Sequence, residues 1–254
     1  MALTLKEVDK VEILTLQDNY IDIASRDDTE IIKRAPILQG MEVKNTILAE
    51  HGFSALVTVT QGREAHGILF DFGFSDFGAA YNAEALGLDL TKVEALALSH
   101  GHLDHVGGLK RLVELVGKKG LEMVLHPAAF RNPRYMKITD EPKAYFPAFT
   151  REKAEAAGVT VVETKEPYPL LDSAILFLGE IARTTDFEKG APSLCYEADG
   201  VERQDTFEDD TAIVALVKGK GLVVLSGCAH SGIVNTVRHA QKVTGVDKIL
   251  AVMG

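Results

Sequence analysis

A short histidine-rich segment carries several residues of the types that bind metal ions in proteins. Four candidate ligands fall within six consecutive residues, namely His100, His102, Asp104 and His105. The segment follows the apolar run Val93–Leu98, which predicts a strand, so the first two histidines point to the same side and can bind one ion. The Asp-His pair comes where the chain turns towards a helix and can bind a second ion. Imidazole nitrogens with a carboxylate oxygen suit Zn²⁺, with iron or manganese as alternatives.

The alternative interpretation is that these histidines are ordinary core or surface residues without an ion. Unpaired imidazoles crowded at the end of a strand would repel one another when protonated, and they would leave polar nitrogens unsatisfied when buried. The spacing therefore favours a metal site.

A second polar segment follows the apolar run Leu222–Ser226 and contains Cys228 and His230. Its side chains should emerge at the carboxyl end of a strand, where α/β proteins build their sites. We expect His230 to be the third nitrogen ligand. Cys228 is a candidate thiolate ligand, although a cysteine at a strand end is more often a small buried hydrophobic residue. Asp71 ends the run Gly67–Phe72 and is expected to hold the ligand loop by hydrogen bonds rather than to bind an ion.

The elements that must position these residues follow from hydrophobic periodicity. Short runs rich in β-branched residues predict strands at Val11–Leu16, Ser54–Thr60, Gly67–Phe72, Val93–Leu98, Leu121–Leu125, Val159–Val162, Ile175–Leu178, Thr211–Val217 and Leu222–Ser226. Apolar residues at every third or fourth position predict helices at Phe77–Leu86, Val106–Val116, Arg151–Ala157 and Ser231–Val243. The runs Ser54–Thr60 and Gly67–Phe72 are separated by only a few residues, which indicates a hairpin, whereas other strands are separated by predicted helices. This mixture predicts an α/β fold with stacked mixed sheets.

The segment His126–Thr150 is the least regular part of the chain. It holds four of the eight prolines, which block a continuous helix or a central strand, so a long loop is expected. Six basic and three acidic residues lie between Arg131 and Lys153, with aromatic residues among them. One interpretation is a lid in which Arg131 and Arg134 bind an anionic, partly aromatic ligand. The alternative is a solvated loop whose aromatic side chains pack into the core.

Composition limits the class of protein and partner. The chain has 254 residues with 46% hydrophobic residues, enough for one domain spanning 1–254. Its net charge of −10 argues against a nucleic-acid or membrane-surface partner, so a small molecule is the expected partner. Two cysteines exclude a disulfide scaffold, and no leader or membrane-length apolar run is evident, so a cytoplasmic location is expected. Nothing in the sequence predicts an oligomer.

The two polar segments resemble those of the metallo-β-lactamase superfamily, and the similarity covers essentially the whole chain. It is carried by the His-x-His-x-Asp-His segment, the Gly-Gly that follows and the earlier Asp71-Phe72-Gly73. The resemblance implies a four-layer αββα sandwich in which His100 and His102 bind one ion. It further implies that Asp104 and His105 bind a second, with a water or hydroxide between them.

Several longer blocks are similar to a subgroup of that superfamily, the dihydropterin-methyl ribofuranosylaminobenzene-phosphate synthase-like metallohydrolases, which implies a role in a pterin pathway. These blocks are "AEHGFSALV", "GILFDFG", "LSHGHLDHVGGL", "GEIARTTDFE", "DDTAIVALVKGKGLVVLSGCAHSGIVNT" and "ILAVMG".

The chain departs from the family pattern in two places. The later Gly-His ligand segment has no equivalent, since Gly179–Arg183 contains no histidine, and His230 is expected to take that role. Cys228 aligns with a position where the family often has a bridging Asp or a Cys. The family's last histidine ligand would follow just beyond Gly254, so we expect either a shortened chain or a second ion that binds weakly.

The expected activity is hydrolysis of a small anionic substrate of the phosphoester type by a metal-bound hydroxide. Asp104 would orient the hydroxide, and His230 or a nearby donor would stabilise the developing oxyanion. Three alternatives remain open. They are a pterin-pathway synthase that uses the same site as a Lewis acid, a redox protein with an iron pair, and a non-catalytic binding module that depends on metal.

Overall fold

The computed structural model describes residues 4–22, 24–25, 27–35, 38–39, 41–43, 46–138 and 142–254. The strands are β1 (Glu7–Val8), β2 (Lys10–Gln17), β3 (Leu38–Gln39), β4 (Glu42–Val43), β5 (Ser54–Gln61), β6 (Glu64–Phe70), β7 (Val93–Ala97), β8 (Leu121–Leu125), β9 (Arg134–Lys137), β10 (Lys143–Tyr145), β11 (Val159–Glu163), β12 (Tyr168–Leu170), β13 (Ile175–Phe177), β14 (Leu194–Ala198), β15 (Val201–Gln204), β16 (Ala212–Val217), β17 (Gly221–Ser226) and β18 (Ile249–Met253). The α-helices are α1 (Gly78–Ala85), α2 (Leu103–Val106), α3 (Leu109–Val116), α4 (Arg151–Ala156) and α5 (Ile233–Thr244). Two short 3₁₀ helices lie at Leu90–Lys92 and Pro127–Phe130.

Two large mixed sheets form the centre of the fold. The first sheet has the strand order β11-β8-β7-β6-β5-β2, in which the four strands from β11 to β6 are parallel and the last two pairings are antiparallel. The second sheet has the order β12-β13-β16-β17-β18, with β1 paired to β16. Among the described residues there are also a small sheet, β10-β9-β14-β15, and the two-stranded pair β3-β4.

The central strands are buried on both faces, and the alternation of side chains along them builds the layers. On β6, Ile68 and Phe70 pack between the two sheets, whereas Leu69 packs with α1 and α3 on the outer face. On β17, Val223 and Leu225 face the first sheet, and Val224 packs towards α5. The order of layers is therefore helix, sheet, sheet, helix, which confirms the predicted αββα sandwich.

The polar segments meet at one edge of this sandwich. Because β6 and β7 are parallel, the residues that follow them, Asp71 and the segment that starts at Ser99, lie at the same end of the first sheet. In the second sheet, β16 and β17 are antiparallel, so the start of β16 lies beside the end of β17. The Thr211 N–H donates to the Ser99 carbonyl at 3.0 Å, which joins the two sheets at this edge.

Two predicted elements differ in the structure. The helix predicted over Val106–Val116 is divided into α2 and α3, with Gly107 and Gly108 between them. A Cβ at Gly107 would overlap the carbonyl oxygen of Phe74, so only glycine permits this close packing.

The prediction that His126–Thr150 is a loop was wrong in part, since β9 and β10 lie within it. Their prolines stand outside the strands, with Pro133 just before β9 and Pro142 just before β10, as the missing N–H requires. Residues 139–141 of this segment, which include Asp140 and Glu141, lie outside the described residues.

Among the described residues, no helix combines the length and the apolar character that crossing a bilayer requires.

Candidate metal centre

Three histidine rings converge at the edge of the sandwich. One ring nitrogen each of His100, His102 and His230 lies within 4.8 Å of the others. The Nε2 atoms of all three are buried and have no hydrogen-bond partner. An unsatisfied buried nitrogen costs about 1–3 kcal/mol, so three of them facing one another fit a site that is completed by a metal ion.

Burial and the neighbouring cations keep these rings neutral. Desolvation, with the nearby histidines, lowers the pKa of His100 well below its ordinary value. Desolvation and then the Arg134 charge lower the pKa of His102 to about 3, and desolvation and then His105 lower the pKa of His230 to about 4. At neutral pH all three rings are in the unprotonated form that binds metal ions.

A second cluster shares His100 and adds His105 and Cys228, whose donor atoms also lie within 4.8 Å of one another. The Nε2 atom of His105 is 3.2 Å from the Sγ atom of Cys228. Cys228 is exposed, so the expectation that it is a buried hydrophobic residue was wrong. Its thiol instead faces the imidazole, as the ligand interpretation requires.

Asp71 contacts both ends of the loop 99–105 that carries the candidate ligands. Its Oδ1 accepts from the Ser99 N–H at 2.7 Å, and its Oδ2 accepts from the Ser99 hydroxyl at 2.7 Å. The same Oδ2 is 2.6 Å from Nδ1 of His105. Burial alone would lower the pKa of His105, but in the metal-free protein the Asp71 carboxylate and then Asp104 raise it well above its ordinary value, so a metal ion at this ring would displace a proton. Asp71 thus has the contacts of an orienting residue, since it fixes the His105 ring with Nε2 towards Cys228.

Asp104 lies at the rim of the second cluster rather than within either group of three. Its Oδ2 is 3.5 Å from His105 Nε2. Burial would raise the pKa of Asp104, but its interactions with His105 lower it to about 2, so the carboxylate is ionised at neutral pH.

His51 is a neighbour of the centre that the sequence reasoning missed. Its side chain is 72% exposed, and its Nε2 lies 3.3 Å from Asp104 Oδ2. The backbone of this loop docks on α2 through the Phe53 N–H, which donates to the Asp104 carbonyl at 3.2 Å. The two segments are far apart in the chain, so no local spacing links them.

Arg131 and Arg134, the residues expected to bind an anionic ligand in a lid, instead form ion pairs with carboxylates of this chain. Arg134 is 2% exposed, donates from Nη2 to Asp209 at 2.7 Å and has its Nε 2.8 Å from Asp205. Arg131 pairs with Asp205 and with Glu208 at 2.9 Å. Both guanidinium groups are occupied by carboxylates of this chain, so this geometry does not support anion binding by them. The sequence signal that could have indicated these partners is the run of acidic residues after residue 201, which includes Asp205, Glu208 and Asp209.

Comparisons with known proteins agree with this geometry. A family model described as the metallo-beta-lactamase superfamily matches residues 50–237. The chain is 28% identical over 262 residues to a 7,8-dihydropterin-6-methyl-4-(beta-D-ribofuranosyl)-aminobenzene-5'-phosphate synthase of Methanocaldococcus jannaschii, covering 100% of this chain and 80% of that protein. It is 31% identical over 208 residues to an uncharacterized protein of the same organism, covering 80% and 72%. A solved structure of a metal-dependent hydrolase of the beta-lactamase superfamily superposes with a TM-score of 0.67 and 25% identity, covering 96% of this chain and 76% of that one.

Proposed function

Because the chain belongs to the metallo-β-lactamase superfamily, we propose that it is a metal-dependent hydrolase of a small-molecule substrate. The observation that carries the proposal is the set of three buried, unpartnered Nε2 atoms on His100, His102 and His230. A histidine cluster of this kind has no structural purpose in a metal-free core, because it leaves polar atoms unsatisfied.

We assign one ion to those three histidines and a second to His105 and Cys228, with Asp104 at its rim. Nitrogen, thiolate and carboxylate donors suit Zn²⁺, and iron or manganese are the alternatives. When bound, such a pair of ions supplies Lewis acidity towards a carbonyl or phosphoryl oxygen and lowers the pKa of a bound water.

The chain's own residues orient the reactants. The ionised Asp104 carboxylate can accept a hydrogen bond from the attacking water and fix its direction. Asp71 keeps the His105 ring in a single orientation through the 2.6 Å contact with Nδ1. His230 presents Nε2 to the histidine cluster, which favours the role of ligand over that of oxyanion donor for this residue.

For the substrate we retain the anionic, phosphoester-type class expected from the sequence. Arg131 and Arg134 are engaged with carboxylates, so we assign anion recognition to the bound ions.

A second candidate function is a pterin-pathway synthase that uses the same centre as a Lewis acid. The similarity to the archaeal synthase over the whole chain favours it. Product analysis with a dihydropterin substrate distinguishes the two, because condensation joins two molecules whereas hydrolysis divides one.

Metal content and turnover, measured together, test the proposal. Zinc per chain is determined by elemental analysis, and hydrolysis is followed on a phosphodiester, a thioester and a lactone. His102→Ala should lose zinc and activity. The control His239→Ala removes a half-buried histidine that bonds to the Leu178 carbonyl outside the centre and should retain both. Zinc binding without hydrolysis of any of the three substrates would contradict the hydrolase, and product analysis would then separate the synthase from a binding module. A zinc-free wild-type protein would overturn the assignment of the centre.

A further inference from the structure

A buried ion-pair network lies beside the histidine cluster and is not used by the proposed mechanism. Its centre is Arg134 on β9, which is flanked by Asp205 and Asp209, both almost fully buried. Burial of three charges is costly unless each is paired, so the network needs a reason beyond filling space.

Asp209 connects this network to the metal-binding loop. One carboxylate oxygen, Oδ1, accepts from Arg134 at 2.7 Å, and the other, Oδ2, accepts from the backbone N–H of Gly101 at 2.8 Å. Gly101 stands between His100 and His102, and its other side is closed, because a Cβ there would overlap the Ala129 carbonyl oxygen. The peptide between the two ligands is thus held from both sides.

We propose that Asp209 is a positioning residue of the metal centre, whose buried carboxylate, anchored by Arg134, fixes the Gly101 peptide and so sets the spacing of His100 and His102. The proposal rests on the proposed metal centre. Burial alone would raise the pKa of Asp209, but Arg134 holds it well below its ordinary range, so the carboxylate that accepts from Gly101 stays ionised. A charge-assisted bond of this kind is stronger than a neutral one.

The competing explanation is that Asp209 only neutralises Arg134. Asp205 provides the comparison, because it is equally buried and pairs with the same guanidinium. Its other oxygen accepts from the Phe207 N–H at 3.0 Å and not from the ligand loop. Beyond the shared Arg134, Asp205 is linked to the centre through Phe207, whose ring stacks on His230 with a centroid distance of 4.2 Å.

The test compares Asp209→Asn with Asp205→Asn. Each variant replaces one of the two carboxylates beside Arg134 by a neutral amide with a single acceptor oxygen, and Asp205→Asn also removes the charge that pairs with Arg131. Only Asp209→Asn removes the charged acceptor for Gly101. Zinc affinity is measured by competition with a chromophoric chelator, the stability of the metal-free proteins by urea unfolding, and the ligand field by the visible spectrum of the Co²⁺-loaded proteins.

We expect Asp209→Asn to lower zinc affinity about 10- to 100-fold and Asp205→Asn to lower it less than about threefold, as for residues that do or do not orient a ligand. The Co²⁺ spectrum should change only in the first variant, while the urea midpoints fall in both. Equal losses of zinc affinity in the two variants, or no loss in Asp209→Asn, would overturn the positioning role. Wild-type protein without zinc binding would contradict the proposed function instead.

Hydrogen exchange keeps the proposal testable if Asp209→Asn does not fold. In the wild-type protein the Gly101 amide should exchange far more slowly than an exposed loop amide, because its N–H donates to the buried carboxylate of Asp209. Exchange at the rate of an exposed loop amide would overturn the proposal.

Discussion

At the scale of single residues, the contacts of Asp71 predict how strongly this carboxylate affects binding of the proposed second ion. It accepts hydrogen bonds from the Ser99 N–H, the Ser99 hydroxyl and His105, and it is fully buried. We predict that Asp71→Asn lowers the affinity for the second zinc ion about 10- to 100-fold, because the amide cannot accept from all three donors. Zinc titration should show the first ion weakened less than the second, since Asp71 reaches only one of its three histidines, His100, and only through the Ser99 hydroxyl. Two ions bound as tightly as in the wild type would contradict the orienting role.

The two cysteines form a natural pair of test and control. Zinc should protect Cys228 from alkylation, because its exposed thiol faces His105 at the candidate second site. Cys195 is buried on β14 and should react slowly with or without zinc. Alkylation with iodoacetamide, followed by mass spectrometry of each peptide, measures both. Cys228→Ala should bind one zinc ion and Cys195→Ala two, and equal alkylation of Cys228 with and without zinc would exclude it as a ligand.

The sequence predicted the relative positions of site residues that lie close together in the chain. His100 and His102 are two residues apart on one strand end, so their common direction follows from backbone geometry alone, and the structure brings both to one cluster with His230. The contacts of Asp209 with Gly101 and of His51 with Asp104 join segments that are distant in the chain. No spacing rule encodes such pairs, and the same limit explains why Arg134 was assigned to a surface lid.

At the scale of elements, Arg134 anchors the small sheet to the sandwich. We predict that Arg134→Met lowers the free energy of unfolding by about 3–5 kcal/mol, because it leaves the buried carboxylates of Asp205 and Asp209 without their cation. The control Arg151→Met breaks an exposed pair with Glu155 on α4 and should change stability little. Urea unfolding of the metal-free proteins measures both. Similar small effects in the two variants would show that the buried network contributes no more than a surface pair.

The same ion pair predicts a dependence of stability on pH. The pKa of Asp209 is lower in the folded protein than in an unfolded chain, where it is about 3.9. Folding therefore favours the ionised form, and this stabilisation is complete above the unfolded pKa and is lost as the pH falls towards the folded pKa. The difference in unfolding free energy between wild type and Asp209→Asn should shrink between about pH 5 and about pH 3. A difference that stays constant over this range would contradict the ion pair.

Elements with strong hydrophobic periodicity were predictable, whereas those held by distant partners were not. Each strand predicted from an apolar run appears in the structure with its ends shifted by at most a few residues, as for Val93–Ala97. Strand β9 escaped prediction because its four residues include Arg134 and Lys137 and so lack a continuous apolar pattern. It forms by pairing with β10 on one side and with the distant β14 on the other, where Tyr135 lies opposite Cys195.

At the scale of the whole molecule, the candidate metal centre combines residues from the two halves of the sandwich. His100, His102 and His105 follow a strand of the first sheet, and Cys228 and His230 follow a strand of the second. Bound ions therefore link the sheets at one edge, so zinc should stabilise the fold as a whole. A ligand present at about 100 times its Kd stabilises by about 2.7 kcal/mol.

For a chain of this size, 1 kcal/mol shifts the unfolding temperature by about 2–4 °C, so removal of zinc with a chelator should lower Tm by about 5–10 °C. Calorimetry with and without chelator measures the shift. His102→Ala should lose most of it, because it removes a ligand from the first sheet, while His239→Ala, on the outer helix α5, should keep the full difference. If zinc binds and Tm does not change, zinc binds the unfolded chain about as tightly as the folded protein, which would contradict a centre that is assembled only when the two sheets come together.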